Sequence, residues 1–173
     1  MADIEVEYGT GSTTSNSYCS LATADIYHEE HRLHVSDWTG ATDDDKEIAL
    51  KWATWLLDDL VDWDGYKYNN TTGAIQALEW PRGGVTEKSG IFIETDEIPT
   101  WLQFATAELA RYLIASDRTQ EAKTRGYSWL KAGNLSMQIS KTDRVSTMPD
   151  AVWNMVKFYG TKTKAQERVL ERM

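Results

Sequence analysis

The sequence predicts an all-α protein, a helical bundle of about four to five helices with a small β-strand or hairpin element and an extended C-terminal tail. Two long segments, residues 43–63 and 100–117, repeat apolar residues at three- and four-residue steps, as amphipathic helices do. Residues 135–139 instead alternate apolar and polar positions, as a strand does. The 173 residues suit one domain, and 41% hydrophobic residues with eight tryptophans can fill its core.

The N-terminal part is predicted to be a flexible arm followed by a helix. Residues 1–17 are mostly small and polar, so we expect an arm without regular structure, and the domain is expected to span residues 18–160. Ser20 is placed to cap a helix over residues 21–34. One side of this helix is predicted to carry Leu21, Ala24, Tyr27 and His31.

The central helix is predicted over residues 43–63. Thr42 precedes it as an N-cap, and three aspartates occupy its first turn, where the helix dipole favours negative charge. Gly65 is expected to end it. Its buried stripe is predicted to consist of Ile48, Trp52, Trp55 or Leu56, and Leu60.

A loop and a third helix are expected next. A short helical turn at residues 74–80 must end before Pro81, because a residue that precedes proline is disfavoured in helical geometry. Gly83-Gly84 and Ser89-Gly90 are expected to flank a short extended piece, with residues 91–94 after it. Pro99 begins the helix over 100–117. The buried face of this helix is predicted to be Leu102, Ala105, Leu109, and Tyr112 or Leu113.

The last third changes character. Leu135, Met137 and Ile139 indicate one strand of a hairpin turned at Gly133-Asn134. Pro149 opens a short helix that ends near Gly160. Residues 161–173 are basic and amphipathic but too few to fold alone, so we expect a tail that becomes ordered against another surface.

The charge is divided between the two halves of the sequence. Residues 1–99 contain 20 Asp and Glu against 6 Lys and Arg, and residues 100–173 contain 7 against 12, giving net charges of −14 and +5. Such a division disfavours binding to a uniform polyanion and favours neighbours that meet front to back. A single cysteine excludes an internal disulfide, and no apolar run approaches the length of a membrane span.

No motif predicts catalysis, a metal or a cofactor. His28, His31 and His34 lack the spacing of a zinc site, and Asp58 and Asp59 point about 100° apart on a helix. Phosphate-binding and acyl-transfer signatures are absent, although two carboxylates distant in sequence remain possible as a glycosidase pair. The tryptophans at 38, 52, 55 and 63 lie in the most acidic part, which favours core packing over base stacking.

From Ser17 to Ile114 the sequence resembles the head–tail connector, or adaptor, proteins of tailed bacteriophages. The resemblance rests on the opening SYCSLATADIYH, the ALKWATWLLD segment and QALEWPR, while residues 161–173 match nothing in that pattern. Some members of that family carry the label of a DnaT-like single-stranded-DNA-binding protein. The motif positions are Tyr18, Trp38, Trp63, Gly65, Gln76, Trp80, Pro81 and Arg82.

The resemblance implies a ring, usually of twelve copies, that joins a portal protein to a downstream tail protein in the virion and passes double-stranded DNA without specific binding. The protein would be made in the host cytoplasm. The implied portal-binding tail contains Lys162, Lys164, Arg168, Val169 and Leu170. The implied subunit interface contains Asp58, Asp62, Asp64, Arg82 and Arg111. The alternatives are a DnaT-like replication factor that binds single-stranded DNA and a virion-associated hydrolase.

The Trp80-Pro81-Arg82 segment is predicted to be structural. We expect Trp80 to pack onto the central helix near Trp52 or Trp55, and Pro81 to fix the exit of the loop. Arg82 is expected to reach an acidic partner such as Asp62 or Asp64.

Overall fold

Five helices and six short strands make up the described part of the chain, which in this computed structural model comprises residues 3–68, 75–119, 129–132, 135–138 and 146–163. The helices are α1 (Leu21–His31), α2 (Ser36–Thr39), α3 (Asp43–Leu60), α4 (Thr100–Ala115) and α5 (Asp150–Val156). The strands are β1 (Val61–Trp63), β2 (Tyr66–Lys67), β3 (Arg82–Gly83), β4 (Trp129–Ala132), β5 (Leu135–Gln138) and β6 (Gly160–Lys162). Within these residues, none of the helices has the length and hydropathy that a bilayer crossing requires.

The strands form three antiparallel pairs, β1 with β6, β2 with β3, and β4 with β5. The all-α prediction was therefore wrong, and the fold is mixed. Strands of two or three residues, as in β1, β2, β3 and β6, are too short to show an alternating pattern in the sequence. The β1–β6 pair also joins distant segments, since Val61 lies opposite Lys162, and no local pattern reveals such a pairing.

The N-terminus of α3 is as predicted, and its C-terminus is not. The Thr42 side chain accepts a hydrogen bond from the Asp45 amide at 3.2 Å, and three aspartates follow in the first turn. The helix ends at Leu60, because Val61 turns extended (φ −123°, ψ 121°) and enters β1.

The core lies between α3 and α4. On α4 the predicted face is confirmed, with Leu102, Ala105, Leu109 and Leu113 buried. On α3 the alternative Leu56 and Leu60 of the predicted stripe are buried, whereas Ile48 is 40% exposed and Trp55 is 60% exposed. The face that packs instead contains Ala49, Leu50, Ala53, Leu56, Leu57 and Leu60. Small residues on both helices allow a close approach, which decides which side of α3 turns inward.

Helix α1 packs across α4 through Tyr27 and His28. The predicted Ser20 cap is confirmed, since its side chain accepts the Thr23 amide at 3.1 Å. The helix ends at His31, which is exposed, whereas His28 is 1% exposed and its Nε2 lies 3.2 Å from the Ala107 carbonyl oxygen. The predicted position of His31 on the same side of the helix as Tyr27 is confirmed, since their ring centroids lie 5.4 Å apart, although His31 is exposed.

The described residues of the N-terminal segment, 3–17, lie against the body of the protein. The Glu7 carboxylate is 1% exposed and accepts hydrogen bonds from the amides of Gly9, Gly11 and Ser12 at 2.9, 3.1 and 2.8 Å. Gly9 has φ of +102°, and a Cβ there would lie 1.8 Å from the Asp96 carbonyl oxygen. The boundaries expected at residues 17 and 160 stay predictions.

The predictions for the hairpin and for the helix after Pro149 agree with the structure better than the prediction for residues 74–80 does. In the predicted hairpin Ala132 lies opposite Leu135, although the turn at residues 133–134 is outside the described residues. The helix after Pro149 is confirmed. The helical turn predicted at 74–80 is wrong for the described residues 75–80, because the amides of Glu79 and Trp80 donate to distant side chains.

The Thr42 cap can be tested by Thr42→Ala, which removes the acceptor for the Asp45 amide. We expect the free energy of unfolding to fall by about 1 kcal/mol in urea titrations. Thr100→Ala is the matched control, since Thr100 is exposed and makes no cap hydrogen bond. An equal loss in both variants would contradict the assignment of the cap.

Candidate functional site

Trp80 is the centre of an aromatic cluster. Its ring is fully buried and meets the rings of Trp63 and Trp101 edge-on, with centroids 5.9 and 5.4 Å apart. Trp101 in turn stacks on Tyr159 at 3.9 Å. These ring contacts replace the predicted contact of Trp80 with Trp52 or Trp55. The cluster thereby joins the loop to β1, to α4 and to Tyr159, which lies between α5 and β6.

Arg82 is held entirely by internal bonds. Its Nε donates to the carbonyl oxygen of Asp64 at 2.8 Å, and its Nη2 donates to those of Trp63 and Gly65 at 3.2 and 3.1 Å. Its Nη1 lies 2.8 Å from a carboxylate oxygen of Glu79. Within the chain, the expected acidic partner of Arg82 is Glu79 and neither Asp62 nor Asp64, since Asp64 contributes its backbone carbonyl oxygen. The Arg82 guanidinium therefore holds the loop that contains Trp80 and Pro81 against residues 63–65.

Asp58 anchors the same loop to α3. Its carboxylate accepts the Tyr18 hydroxyl at 2.6 Å and the Glu79 amide at 3.1 Å, and the Tyr18 oxygen accepts the Trp80 amide at 3.1 Å. Burial raises the pKa of Asp58 to about 7, although the two hydrogen bonds act in the opposite direction. The Asp58 side chain points toward Tyr18 and the loop that contains Glu79.

Of the remaining motif residues, Trp38 and Gln76 are also buried, and Gly65 is exposed in a tight turn. Trp38 is 1% exposed and its Nε1 donates to Asp25 at 2.7 Å. The side-chain Nε2 of Gln76 donates to the backbone carbonyl oxygens of Leu78 and Pro81. Gly65 has φ of +76°, and a Cβ there would lie 2.3 Å from the Gly83 carbonyl oxygen. The motif thus builds the interior and offers little to a ligand.

The residues expected at a subunit interface or a docking tail are dispersed. Asp62 and Asp64 are exposed, and Arg111 is paired with Glu108 at 2.8 Å. Lys162 lies in β6. The residues outside the described part are Lys164, Arg168, Val169 and Leu170. No observation tests the interface or the tail, which stay predictions.

A second group of residues has the chemistry of a binding surface. The guanidiniums of Arg111 and Arg118 lie 4.5 and 4.7 Å from the centroid of the Tyr112 ring, at the end of α4. Arg118 also donates to the Ser146 carbonyl oxygen at 2.8 Å, which ties this end of α4 to the segment before α5.

The same pairing of cation and ring recurs on α5 and β6. Lys162 places its ammonium 5.0 Å from the centroid of the Trp153 ring. Lys157 and Phe158 follow α5 and are exposed. We refer to these residues together as the basic aromatic surface: Arg111, Tyr112, Arg118, Trp153, Lys157, Phe158 and Lys162. Sequence reasoning missed it, although Arg111-Tyr112 and the i, i+4 pair of Trp153 and Lys157 were visible signals.

One cation of the basic aromatic surface is partly neutralised. Glu108 is 1% exposed and lies between Arg111 and Arg32, at 2.8 and 2.9 Å. Burial alone would raise the pKa of Glu108, but the two arginines hold it below its usual value. Arg111 therefore belongs to an ion triad around the buried Glu108, whereas Arg118, Lys157 and Lys162 form no ion pair among the described residues.

In the described ranges, no three His, Cys, Asp or Glu side chains lie close enough together to hold a metal ion. His28 packs against Trp38 with ring centroids 4.6 Å apart. Burial lowers the pKa of His28 to about 4, so the imidazole is neutral at physiological pH. His31 and His34 are exposed.

Comparison with known proteins gives one match. Residues 2–173 match the model of the family described as "Putative DnaT-like ssDNA binding protein". No curated protein and no solved structure shows significant similarity to the chain.

This match corrects the function expected from the resemblance to connectors. The head–tail connector function was wrong, since the match over the whole chain supports the alternative of single-stranded-DNA binding and gives no support to a structural part of a virion. The expected partners, location and lack of enzymatic activity are tested by none of these observations and stay predictions.

Replacing Trp80 tests the role of the aromatic cluster. Trp80→Ala should lower the free energy of unfolding by about 3–5 kcal/mol, because it removes a fully buried ring and leaves a cavity. Phe92→Ala, at a ring that is 70% exposed, should cost less than about 1 kcal/mol. Urea unfolding followed by circular dichroism measures both, and similar values would show that Trp80 is not the centre of the core.

The raised pKa of Asp58 predicts that the free energy of unfolding depends on pH. Its pKa is raised in the folded state, so folding binds a proton between the unfolded value near 4 and the folded value of about 7. Its contribution to stability is therefore lost as pH rises through this window, by at most about 1.4 kcal/mol per pH unit. Asp58→Asn should reduce this slope in urea titrations from pH 4 to 8. Parallel pH profiles for the two proteins would contradict the assignment.

Proposed function

The chain belongs to the family described as "Putative DnaT-like ssDNA binding protein", and we propose that it binds single-stranded DNA on the basic aromatic surface. The family match carries the proposal. The pairing of cations with rings on α4, α5 and β6 supports the location, because single-strand binding combines phosphate-neutralising cations with aromatic platforms for bases.

The distribution of charge along the sequence supports the second half of the chain, which contains the basic aromatic surface. Residues 100–173 carry a net charge of +5 and residues 1–99 a net charge of −14. A strand is therefore repelled by the first part of the sequence and attracted to the second. With a total charge of −9, we expect modest affinity that depends strongly on salt.

The cations of the basic aromatic surface have different roles in this proposal. Lys157 and Lys162 are free of carboxylates among the described residues and are assigned to phosphates. Arg118 is assigned to a phosphate beside Tyr112. Arg111 already neutralises the buried Glu108, so it serves to hold the Tyr112 ring.

The bases are assigned to the rings. Tyr112 and Trp153 are half-buried, so each can offer an edge or one face, and Phe158 is 48% exposed. Stacking on aromatic rings is tolerant of sequence, because every base has a π-face. We therefore expect little preference among oligonucleotides of different sequence.

Removing two lysines tests the proposal. Lys157→Ala/Lys162→Ala should weaken binding to a fluorescent oligo-dT at low salt and reduce the slope of log affinity against log salt by about 1.4, or about 0.7 for each lost phosphate contact. Fluorescence anisotropy titrations at salt concentrations from about 25 to about 200 mM measure both the affinity and its dependence on salt.

Lys51→Ala/Lys88→Ala removes the same charge from the first half of the sequence and is the matched control. It should retain the slope and most of the affinity. Equal losses in the two double variants would contradict the location of the site. No binding to oligo-dT by the unmodified protein at the lowest salt would refute the function itself.

A further inference from the structure

The ring of Tyr112, which the proposed function assigns to a base, is covered by two cations. The guanidinium groups of Arg111 and Arg118 lie 4.5 and 4.7 Å from its centroid. Stacked rings place their centroids about 4.5–7 Å apart, so a base on the same face would need the space that a guanidinium occupies. A single strand can therefore stack a base on a covered face of Tyr112 only when one of the two arginines leaves it.

Arg111 is fixed by the buried Glu108. Its Nη2 donates to the Glu108 carboxylate at 2.8 Å, and Glu108 is 1% exposed. The Nε of Arg32 donates to the same carboxylate at 2.9 Å, so the pair is part of a network that joins the residue after α1 to α4. Removing one partner from a buried carboxylate is strongly destabilising, which keeps Arg111 in place.

Arg118 is held by fewer contacts. It lies on the segment beyond α4, where the chain leaves the helix at Ser116. Among the described residues Arg118 forms no ion pair, and its Nη1 donates one hydrogen bond, to the Ser146 carbonyl oxygen at 2.8 Å. Its Nε, like that of Arg111, is buried without a hydrogen-bond partner in the described part of the chain. Of the two arginines, Arg118 is therefore the one that can leave the ring for a better partner.

A phosphate group of a bound strand is such a partner. A guanidinium binds phosphate through two parallel N–H groups, and one of these can be the Nε that has no partner in the free protein. We propose that Arg118 covers Tyr112 in the free protein and moves to a phosphate when single-stranded DNA binds, which opens the ring to a base. This inference rests on the proposed function and makes Arg118 the residue that controls access to the Tyr112 platform.

The exchange couples the phosphate contact to the base contact. A polyanion without bases attracts Arg118 but leaves the Tyr112 ring bare, so it loses the cation–π contact without a replacement. A duplex keeps its bases stacked inside, where the ring cannot reach them. The site therefore favours a strand that presents a phosphate and an unstacked base side by side, as single-stranded DNA does.

Nuclear magnetic resonance on the full chain tests the exchange, because an aromatic ring shifts the signals of protons above its face upfield. In the free protein, Tyr112→Leu should move the Arg118 Nε–H signal downfield. Saturating the unmodified protein with oligo-dT should move that signal in the same direction, while the Arg111 Nε–H signal stays close to its position in the free protein. An Arg118 signal that is insensitive to Tyr112→Leu, or that does not move in the saturated protein, would overturn the proposal.

A strand without bases gives a second readout. Arg118→Ala uncovers Tyr112 and removes one phosphate contact. The ratio of the affinity for oligo-dT to the affinity for an abasic strand of equal length should therefore rise about two- to five-fold, the factor expected for one cation–π contact. The slope of log affinity against log salt should fall in magnitude by about 0.7. Fluorescence anisotropy measures both quantities.

Lys88→Ala, at an exposed lysine in the first half of the sequence, is the matched control and should leave the ratio unchanged. An unchanged ratio in Arg118→Ala would show that Arg118 does not restrict access to the ring, and would overturn the proposal. Absence of binding to either strand would refute the proposed function and the exchange with it. The comparison of the unmodified protein with Tyr112→Leu needs no DNA, so it distinguishes that failure from an error in the position of Arg118.

Discussion

The hydrogen bonds of Asp58 are the constraint on which the centre of the molecule depends. This side chain of α3 holds the Tyr18 hydroxyl and the Glu79 amide, and Tyr18 holds the Trp80 amide. A loop that lacks helix and strand bonds thereby has its buried amides satisfied. Once the loop is fixed, Trp80 is fixed between β1 and α4, and Arg82 is bound to the turn that follows β1. The same bonds keep a carboxyl group buried, which is a cost that increases as pH rises.

Arg82, Arg111 and Arg118 differ in how far their charges are compensated within the protein. Arg82 binds four backbone carbonyl groups and the Glu79 carboxylate, so its charge is compensated inside the protein. Arg111 is compensated by Glu108 and still lies over Tyr112. Arg118 has a ring and one carbonyl oxygen as its partners. A count of basic residues would treat the three alike, but only the last has its full charge available to a phosphate.

The parts of the fold that sequence could predict are those that local chemistry determines. Helix caps at Ser20 and Thr42 follow from side chains that bind nearby amides, and the buried face of α4 follows from its spacing of apolar residues. Long-range choices were not accessible. Helix α3 is apolar on more than one side, so packing against α4 selects its inner face. The partners of Trp80 come from three separate segments, and the basic aromatic surface is assembled from α4, α5 and β6 in the same way.

Two tryptophans show why exposed rings on this protein cannot share one role. Trp55 lies on α3 with Asp59 four residues ahead, in a part of the sequence with a net charge of −14. Trp153 lies under the ammonium group of Lys162, in the part with a net charge of +5. Stacking energies of the two rings with a base are similar, but the phosphates that accompany the base are repelled at Trp55 and attracted at Trp153. Electrostatics therefore favours Trp153 over Trp55 as a platform for the proposed single strand.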